Sequence, residues 1–563
     1  MSLALHCCIL LSMTRRKPLS ALLLALCLPT AARAFGHVFD VREATIDSVH
    51  DALFTRSTTC RELVSSFLAR IEELNPTINA VISLNPDALA IADRLDDRIA
   101  VGNVTGPLFC IPVLLKDNFD VAGMSTTGGC RALADHRPSV DAPTVRALKD
   151  AGAVILGKAN LHEMALEGLS VSSLGGQTVS PYDPTRTPGG SSGGSGAAVA
   201  ANFAILATGT DTMNSLRSPA SANSLFSLRP TRGLISRAGV IPVSFTQDAV
   251  GAMARNPSDL AVVLNVMAGV GLDPQDNVTT WAPPEVRQRD YTASLHTGSL
   301  RGLRFGVLNG FFNHTASDET TPVNEIMGDV VSRLTAAGVE VVNITEAIYD
   351  TLRIAKLDVQ AFEFRELLDA YLGGAAAAGG LGPASFGDLY GSSGRFLVIP
   401  AQHQFIKRAS HSSTSDAAYA EALHGIKDLT RALEATFASN NLDAIIYPEQ
   451  KNLVVTIGSP SQSGRNGILA ALTGHPVVCV PAGFSPASAD APLGVPVGME
   501  ILGRPWSEPL LLNIASHLNA LAPVRRMPPF ANATVEPRIY ETVPSITPNV
   551  AGISAAYPMG VLG

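Results

Sequence analysis

Leu63, Phe67 and Ile71 recur at helical spacing behind Thr59-x-x-Glu62, a pattern in which the threonine caps the first turn and the glutamate reaches back to the capping residue. It predicts an amphipathic helix from about residue 60 to Leu74, stopped at Asn75-Pro76 because the residue before a proline avoids helical backbone. Ile111 to Leu115 is a short apolar run that ends in Lys116-Asp117 and reads as a buried strand. Thr144 to Lys149 reads as a helix that stops at Gly152, and Ala153 to Leu156 as the next strand. The same helix, glycine, strand succession returns at Leu334, Gly338 and Val339 to Val342, and Leu442 to Tyr447 is a further strand. Such alternation predicts an α/β fold with helices packed on a largely covered sheet.

Two segments break the pattern. Leu372 to Pro383 (LGGAAAAGGLGP) is low in complexity and poor in bulky side chains, which predicts a surface loop or lid. From Arg525 onward the chain is proline-rich and aperiodic and reads as a peripheral tail. No internal repeat is present.

Composition narrows the function classes. Of 563 residues, 46% are hydrophobic and only 16% are charged, which excludes disorder as the main state. The 41 Lys and Arg against 49 Asp and Glu leave a formal charge of −8, so no basic field is available to bind nucleic acid. At the N-terminus, Arg15-Arg16-Lys17, an apolar run from Leu19 to Leu28 and Ala32-Arg33-Ala34 form a secretory signal peptide with cleavage expected after Ala34. The run is too short to span a bilayer as an anchor. The pattern reads better from Met13 than from Met1, so either methionine remains open as the start.

Cys7, Cys8 and Cys27 fall in the leader, leaving Cys60, Cys110, Cys130 and Cys479. Four cysteines allow three pairings. A bridge such as Cys110–Cys130 and four buried free thiols are both compatible with the sequence. No His/Cys cluster has zinc spacing. Sequons at Asn103, Asn277, Asn313, Asn343 and Asn532 agree with secretion.

Residues 186–201, RTPGGSSGGSGAAVAA, carry the chemistry. A flexible linker would not resume at once as an apolar helix former. A nucleophile elbow around Ser192 needs a buried strand directly before it, and Asp183 to Pro188 cannot form one. A phosphate loop needs Lys-Ser/Thr after the glycines, which is absent.

What remains is a resemblance. GGSSGGS (189–195) looks like the serine–glycine signature of the amidase signature family. It is accompanied, in the family's order, by PVLLKDNFDVAG (112–123), GTDTMNSLRSPAS (209–221), RPTRGLISRAGVIP (229–242), TGHPVVCVPAGF (473–484) and PVGMEILGRPW (496–506). The resemblance spans about residues 45–520 and implies a large mixed twisted sheet covered by helices on both faces. It implies amide hydrolysis by a Ser–Ser–Lys triad without histidine, cofactor or metal. By motif, Lys116 is the base, Ser191 the bridging serine and Ser215 the nucleophile, with a cis peptide bond expected at Gly190-Ser191. The oxyanion hole falls on Thr212, Met213, Asn214 and Ser215, and Asp211 and Arg217 support the loop. Where the family usually has a glycine-containing pair before the nucleophile, this chain has Met213-Asn214, which implies either an oxyanion hole of altered geometry or lost activity.

The expected organisation is a signal peptide (1–34), an N-terminal helical region (35–105), the catalytic domain (106–524) and the tail (525–563). His162, His403 and His475 are expected to be structural, as is Asp117. The expected function is a secreted amidase acting on a small-molecule amide, without a membrane anchor or nucleic-acid partner. Three alternatives stay open: a protein like the A subunit of a glutamine-dependent amidotransferase, a catalytically impaired binding protein, and a histidine-dependent hydrolase on Ser192. The acyl pocket is expected to come from residues 310–450.

Overall fold

In a computed structural model of the chain, residues 39–377 and 381–560 are described. The signal peptide, its cysteines and both candidate start methionines lie outside them. Eleven strands form the main sheet: β1 (Val81–Leu84), β2 (Pro112–Lys116), β3 (Val154–Ala159), β4 (Leu206–Asp211), β5 (Phe226–Arg229), β6 (Ala249–Ala254), β7 (Arg304–Leu308), β8 (Glu340–Ile344), β9 (Ala444–Pro448), β10 (Val477–Phe484) and β11 (Pro496–Leu502). They lie side by side in the order β1-β3-β2-β4-β6-β5-β10-β11-β9-β7-β8. β2 runs parallel to β3 and β4, and β7 runs parallel to β8 and β9. The other pairings are antiparallel, so the sheet is mixed.

Every residue of β2, β3, β4, β5, β6, β9 and β11 is buried. Because successive side chains point to opposite faces, complete burial means that both faces are covered. This explains why β2, the start of β3 and β9 read as continuous apolar runs rather than as alternating patterns. The edge strand β8 is only partly buried.

The first helix motif folds as expected at its start and differs at its end. Thr59 Oγ1 accepts the Glu62 N–H at 3.1 Å while Glu62 Oε2 accepts the Thr59 N–H at 3.1 Å, and Leu63, Phe67 and Ile71 are buried. The helix runs from Cys60 through Pro76 to Ile78 and ends on Asn79 in the left-handed region. Tertiary bonds hold this last turn. Asn75 Oδ1 accepts the N–H groups of Ala80 and Val81, and its Nδ2 donates to Val81 O at 2.9 Å.

The Gly/Ala stretch also departs from expectation. Leu372 to Ala377 continue the helix Gln360–Ala377 rather than starting a loop. Alanine is the strongest helix former, and Leu372 is buried against Leu368 and Phe364. The proline-rich tail is tied down at its edge of the fold, where Arg538 and Tyr540 bond Glu72 of the first long helix.

A disulfide joins Cys60 to Cys110, which replaces the Cys110–Cys130 bridge offered from sequence. Cys130 and Cys479 are free and buried. The bridge clamps the first turn of helix Cys60–Ile78 to the segment entering β2, across a sequence separation of 50 residues. In the chain-entropy picture, closing a loop of that length is worth about 4 kcal/mol, with measured values commonly about 2–4 kcal/mol. Replacing both cysteines by serine should therefore lower the unfolding free energy by about 2–4 kcal/mol. Equal denaturation midpoints for the two proteins would show that the bridge contributes no stability.

Candidate active site

β2 and β4 are parallel neighbours, so their C-terminal ends open on the same edge of the sheet. Lys116 is the last residue of β2, and Thr210 and Asp211 close β4. The segment holding Ser191 and Ser192 leads into helix Gly193–Ala200, which packs against these strands. Its small residues are required there. A Cβ on Gly194 would stand 2.2 Å from the Asn160 carbonyl oxygen, so a bulkier residue would push the helix off the sheet. The Gly190-Ser191 peptide bond is cis, as the resemblance implies.

The structure brings Lys116 and Ser191 into contact. Lys116 Nζ lies 2.7 Å from Ser191 Oγ and 2.7 Å from Thr210 Oγ1. Lys116 and Ser191 are fully buried, whereas Ser215 retains 7% of its surface. Burial pulls the Lys116 ammonium down to about 7, with the Asp211 and Asp248 carboxylates opposing the change. A lysine in this state is substantially neutral near physiological pH and can accept a proton.

Ser215 sits on the same edge, where Ser192 N–H donates to the Ser215 carbonyl at 3.3 Å. Among the described residues, the Ser215 hydroxyl has no hydrogen-bond partner and does not yet bond Ser191. Catalytic contacts of this kind often tighten only when substrate arrives. Ser192 instead packs its hydroxyl on the Thr210 carbonyl at 3.2 Å.

The loop from Thr212 to Ser215 is pinned along its length. Thr212 Oγ1 donates to Asp248 Oδ1 at 2.5 Å, Arg217 bonds the Met213 carbonyl, and Asn214 Nδ2 donates to Glu449 Oε1 at 2.6 Å. Neither Met213 nor Asn214 has positive φ, so replacing the family's glycine-containing pair carries no left-handed backbone strain. The Asn214 side chain turns into the protein, and Met213 packs beside the cluster that holds Phe311 and Ile468. Among the described residues, the backbone N–H groups of Met213, Asn214 and Ser215 have no acceptor.

Beneath this loop lies Asp211. It accepts from Arg217 Nε and Nη2 at 3.1 Å each, from Arg229 Nη1 at 2.7 Å and from Leu216 N–H at 3.0 Å. Burial works against its charge, but Arg217 and Arg229 hold its carboxyl well below the usual carboxylate range. Asp211 and Arg217 are thus the loop supports expected from the motif.

No histidine side chain among the described residues bonds Ser191, Ser192 or Ser215. His162 is buried against Gln402 Oε1 at 3.1 Å, and burial pulls both it and His475 down to about 4. Asp117 pairs with the buried Lys158 at 3.3 Å and takes no part in the site. Two neighbours carry no role that the sequence alone assigns. Thr210 stands inside a recognised block, but only the strand pairing shows that it touches Lys116. Glu449 lies 235 residues from Asn214 and has no local signal at all. Beside Thr210 and Thr212 a cavity of about 230 Å³ is walled by Val240, Ile241, Phe245 and Leu367. Among the described residues no group of side chains could hold a metal, and no helix is long and apolar enough to cross a membrane.

The Amidase family profile matches residues 62–512. The chain belongs to the amidase family. It is 33% identical over 494 residues to the A subunit of glutamyl-tRNA(Gln) amidotransferase from Chloroflexus aurantiacus, covering 84% of this chain and 96% of that one. It is 33% identical over 510 residues to a probable amidase of Arabidopsis thaliana, covering 87% and 92%. The structure of a peptide amidase from Stenotrophomonas maltophilia superposes with a TM-score of 0.76 at 34% identity, covering 87% of this chain and 99% of that chain. The mixed sheet is the amidase fold, and this amidase is a hydrolase of carbon–nitrogen bonds.

Removing the carboxylate of Asp211 would leave two buried guanidinium groups without their shared partner, a change that typically costs about 3–5 kcal/mol. Asp211→Ala should therefore lose about that much stability in denaturant titration. A loss below about 1 kcal/mol would show that water or Glu500 replaces the carboxylate.

Proposed function

We propose that this amidase is secreted and hydrolyses the amide bond of a small molecule through an acyl-enzyme on Ser215. The observation that carries the reading is the 2.7 Å contact between Lys116 Nζ and Ser191 Oγ in a buried setting. A serine hydroxyl is a poor nucleophile until a base takes its proton. Ser215 Oγ attacks the amide carbon and passes its proton to Ser191, which passes its own to neutral Lys116. The carbonyl oxygen, now an anion, is received by the free N–H groups of the Thr212–Ser215 loop. The proton returns through Ser191 to the leaving nitrogen, the C–N bond breaks, and water then cleaves the ester to release a carboxylic acid. The likeness to a peptide amidase puts peptide carboxamides first among substrates to screen.

The leader pattern and the Cys60–Cys110 bridge support secretion, since disulfides persist in oxidising compartments. Exposed sequons at Asn103, Asn277, Asn343 and Asn532 would then carry glycans. The relatives named as an amidotransferase component favour a second reading, in which the same hydrolysis serves a larger assembly. The leader and the bridge weigh against it.

The test is the mass of the protein after exposure to a fluorophosphonate, with peptide mapping of the adduct. Labelling is expected on Ser215 and absent in Lys116→Ala. Because the base must be neutral, the labelling rate should rise about tenfold per pH unit below about 7. Labelling on Ser192, or none in folded protein, would overturn the reading.

A further inference from the structure

The Met213-Asn214 pair leaves one bond that the proposed chemistry does not use. Asn214 precedes Ser215, is 1% exposed, and donates its side-chain amide to Glu449 Oε1 at 2.6 Å. Glu449 directly follows the last residue of β9 and is fully buried. Its backbone is held on both sides: its N–H donates to Gly498 O at 3.0 Å, and its carbonyl accepts the Asn466 N–H at 3.2 Å. The fit extends to Gly467, where a Cβ would stand 2.3 Å from the Cβ of Asn214. Asn214 is thus accommodated by a partner and by a missing side chain far away in sequence.

We propose that Glu449 is a positioning residue that, through Asn214, fixes the backbone on which Ser215 and its neighbouring N–H groups stand. This rests on the reading of Ser215 as the nucleophile. A glycine at position 214 would offer no side chain to grip. An asparagine turns the loop into a structure held from below, so the register of its N–H groups depends on a carboxyl group outside the signature blocks.

The surroundings decide the state of that carboxyl. Facing Glu449 are Glu500 from β11, Arg217 and Asp211 from the loop support and Cys479 from β10, while Tyr447 from β9 faces Glu500. Arg217 is already shared between Asp211 and Glu500, whose Oε2 it bonds at 2.6 Å. Burial, and then the Glu500 carboxylate, push Glu449 up to about 8. Glu449 Oε2 and Asn214 Oδ1 are buried without a hydrogen-bond partner. A proton on Glu449 turns one of these two acceptors into a donor. A neutral Glu449 also holds Asn214 without placing a second bare anion beside Glu500. The Asn214 amide favours the charged carboxyl, but ionisation sets a second anion beside Glu500, so the positioning weakens as pH rises through about 8.

The test compares the rate of fluorophosphonate labelling at Ser215 from about pH 5 to about pH 10 in the full-length protein, three single variants and one double variant. In the unmodified protein the rate should rise through about 7, as Lys116 loses its proton, and fall again above about 8. Glu449→Gln keeps the shape and the accepting carbonyl but cannot ionise, so it should label at nearly the original rate at neutral pH and keep that rate at alkaline pH. Glu449→Ala and Asn214→Ala should each label about 100-fold more slowly, the usual cost of a misplacement near 1 Å. Combining them should add nothing further, because both remove the same contact.

An alkaline fall that persists in Glu449→Gln would overturn the proposal. So would labelling of folded Asn214→Ala at the original rate, a result that also decides the matter if Glu449→Ala does not fold. If Ser215 of the unmodified protein does not label at all, it is the assignment of the nucleophile that fails instead.

Discussion

Asp211 brings two guanidinium groups and a backbone N–H together in a fully buried space, and the reacting end of the molecule is arranged around it. A buried carboxylate without partners would take up a proton rather than stay charged. Here Arg217 and Arg229 keep it ionised, and the three groups lock the turn between β4 and helix Arg217–Ala222. Everything on that turn inherits its position: the free N–H groups, Ser215, and Thr210 one residue upstream. Arg217 extends the same contact to Glu500 and to the carbonyls of Met213 and Gly467, so β11 and the loop after β9 are drawn into the support.

Lys116 sets the second constraint. A fall from the ordinary 10.5 to about 7 disfavours its ammonium form by roughly 5 kcal/mol. No partner bonded to Lys116 repays that cost, since its contacts are two neutral hydroxyls. The contrast with Lys158 is instructive. It is equally buried and its ammonium is also disfavoured by burial, but it sits against the Asp117 carboxylate and the Phe119 carbonyl. One buried lysine faces hydroxyl groups, the other a carboxylate. The difference in partners separates a proton acceptor from a structural ion pair.

Much of this was readable residue by residue. The capping pair Thr59 and Glu62 and the stripe Leu63, Phe67 and Ile71 needed only local geometry, and the structure repeats them. The runs ending at Lys116, Leu156 and Tyr447 mark β2, β3 and β9 within a few residues, because these strands are covered on both faces and largely apolar. The segment around Ser191 could be separated from a linker because an apolar helix follows it at once. The readings that changed depended on partners outside the local helix or strand pattern. Asn75 carries the helix past Pro76 by bonding residues 80 and 81. Leu372 finds a core that carries the helix on to Ala377. Cys60, rather than Cys130, lies within reach of Cys110.

By itself the sequence determined the order of the chemistry: a lysine at the end of an apolar strand, two adjacent serines before a small-residue helix, and a third serine between Asp211 and Arg217. These are matters of spacing and residue type, which act over a few positions. Tertiary structure decided what those residues are like. Burial favours the neutral form of Lys116, parallel pairing of β2 with β4 places Thr210 against it, and Glu449 reaches Asn214 across 235 positions of sequence. Solvation and contact across the sheet are properties of the folded surroundings, and a linear pattern carries no record of which distant side chain will supply them.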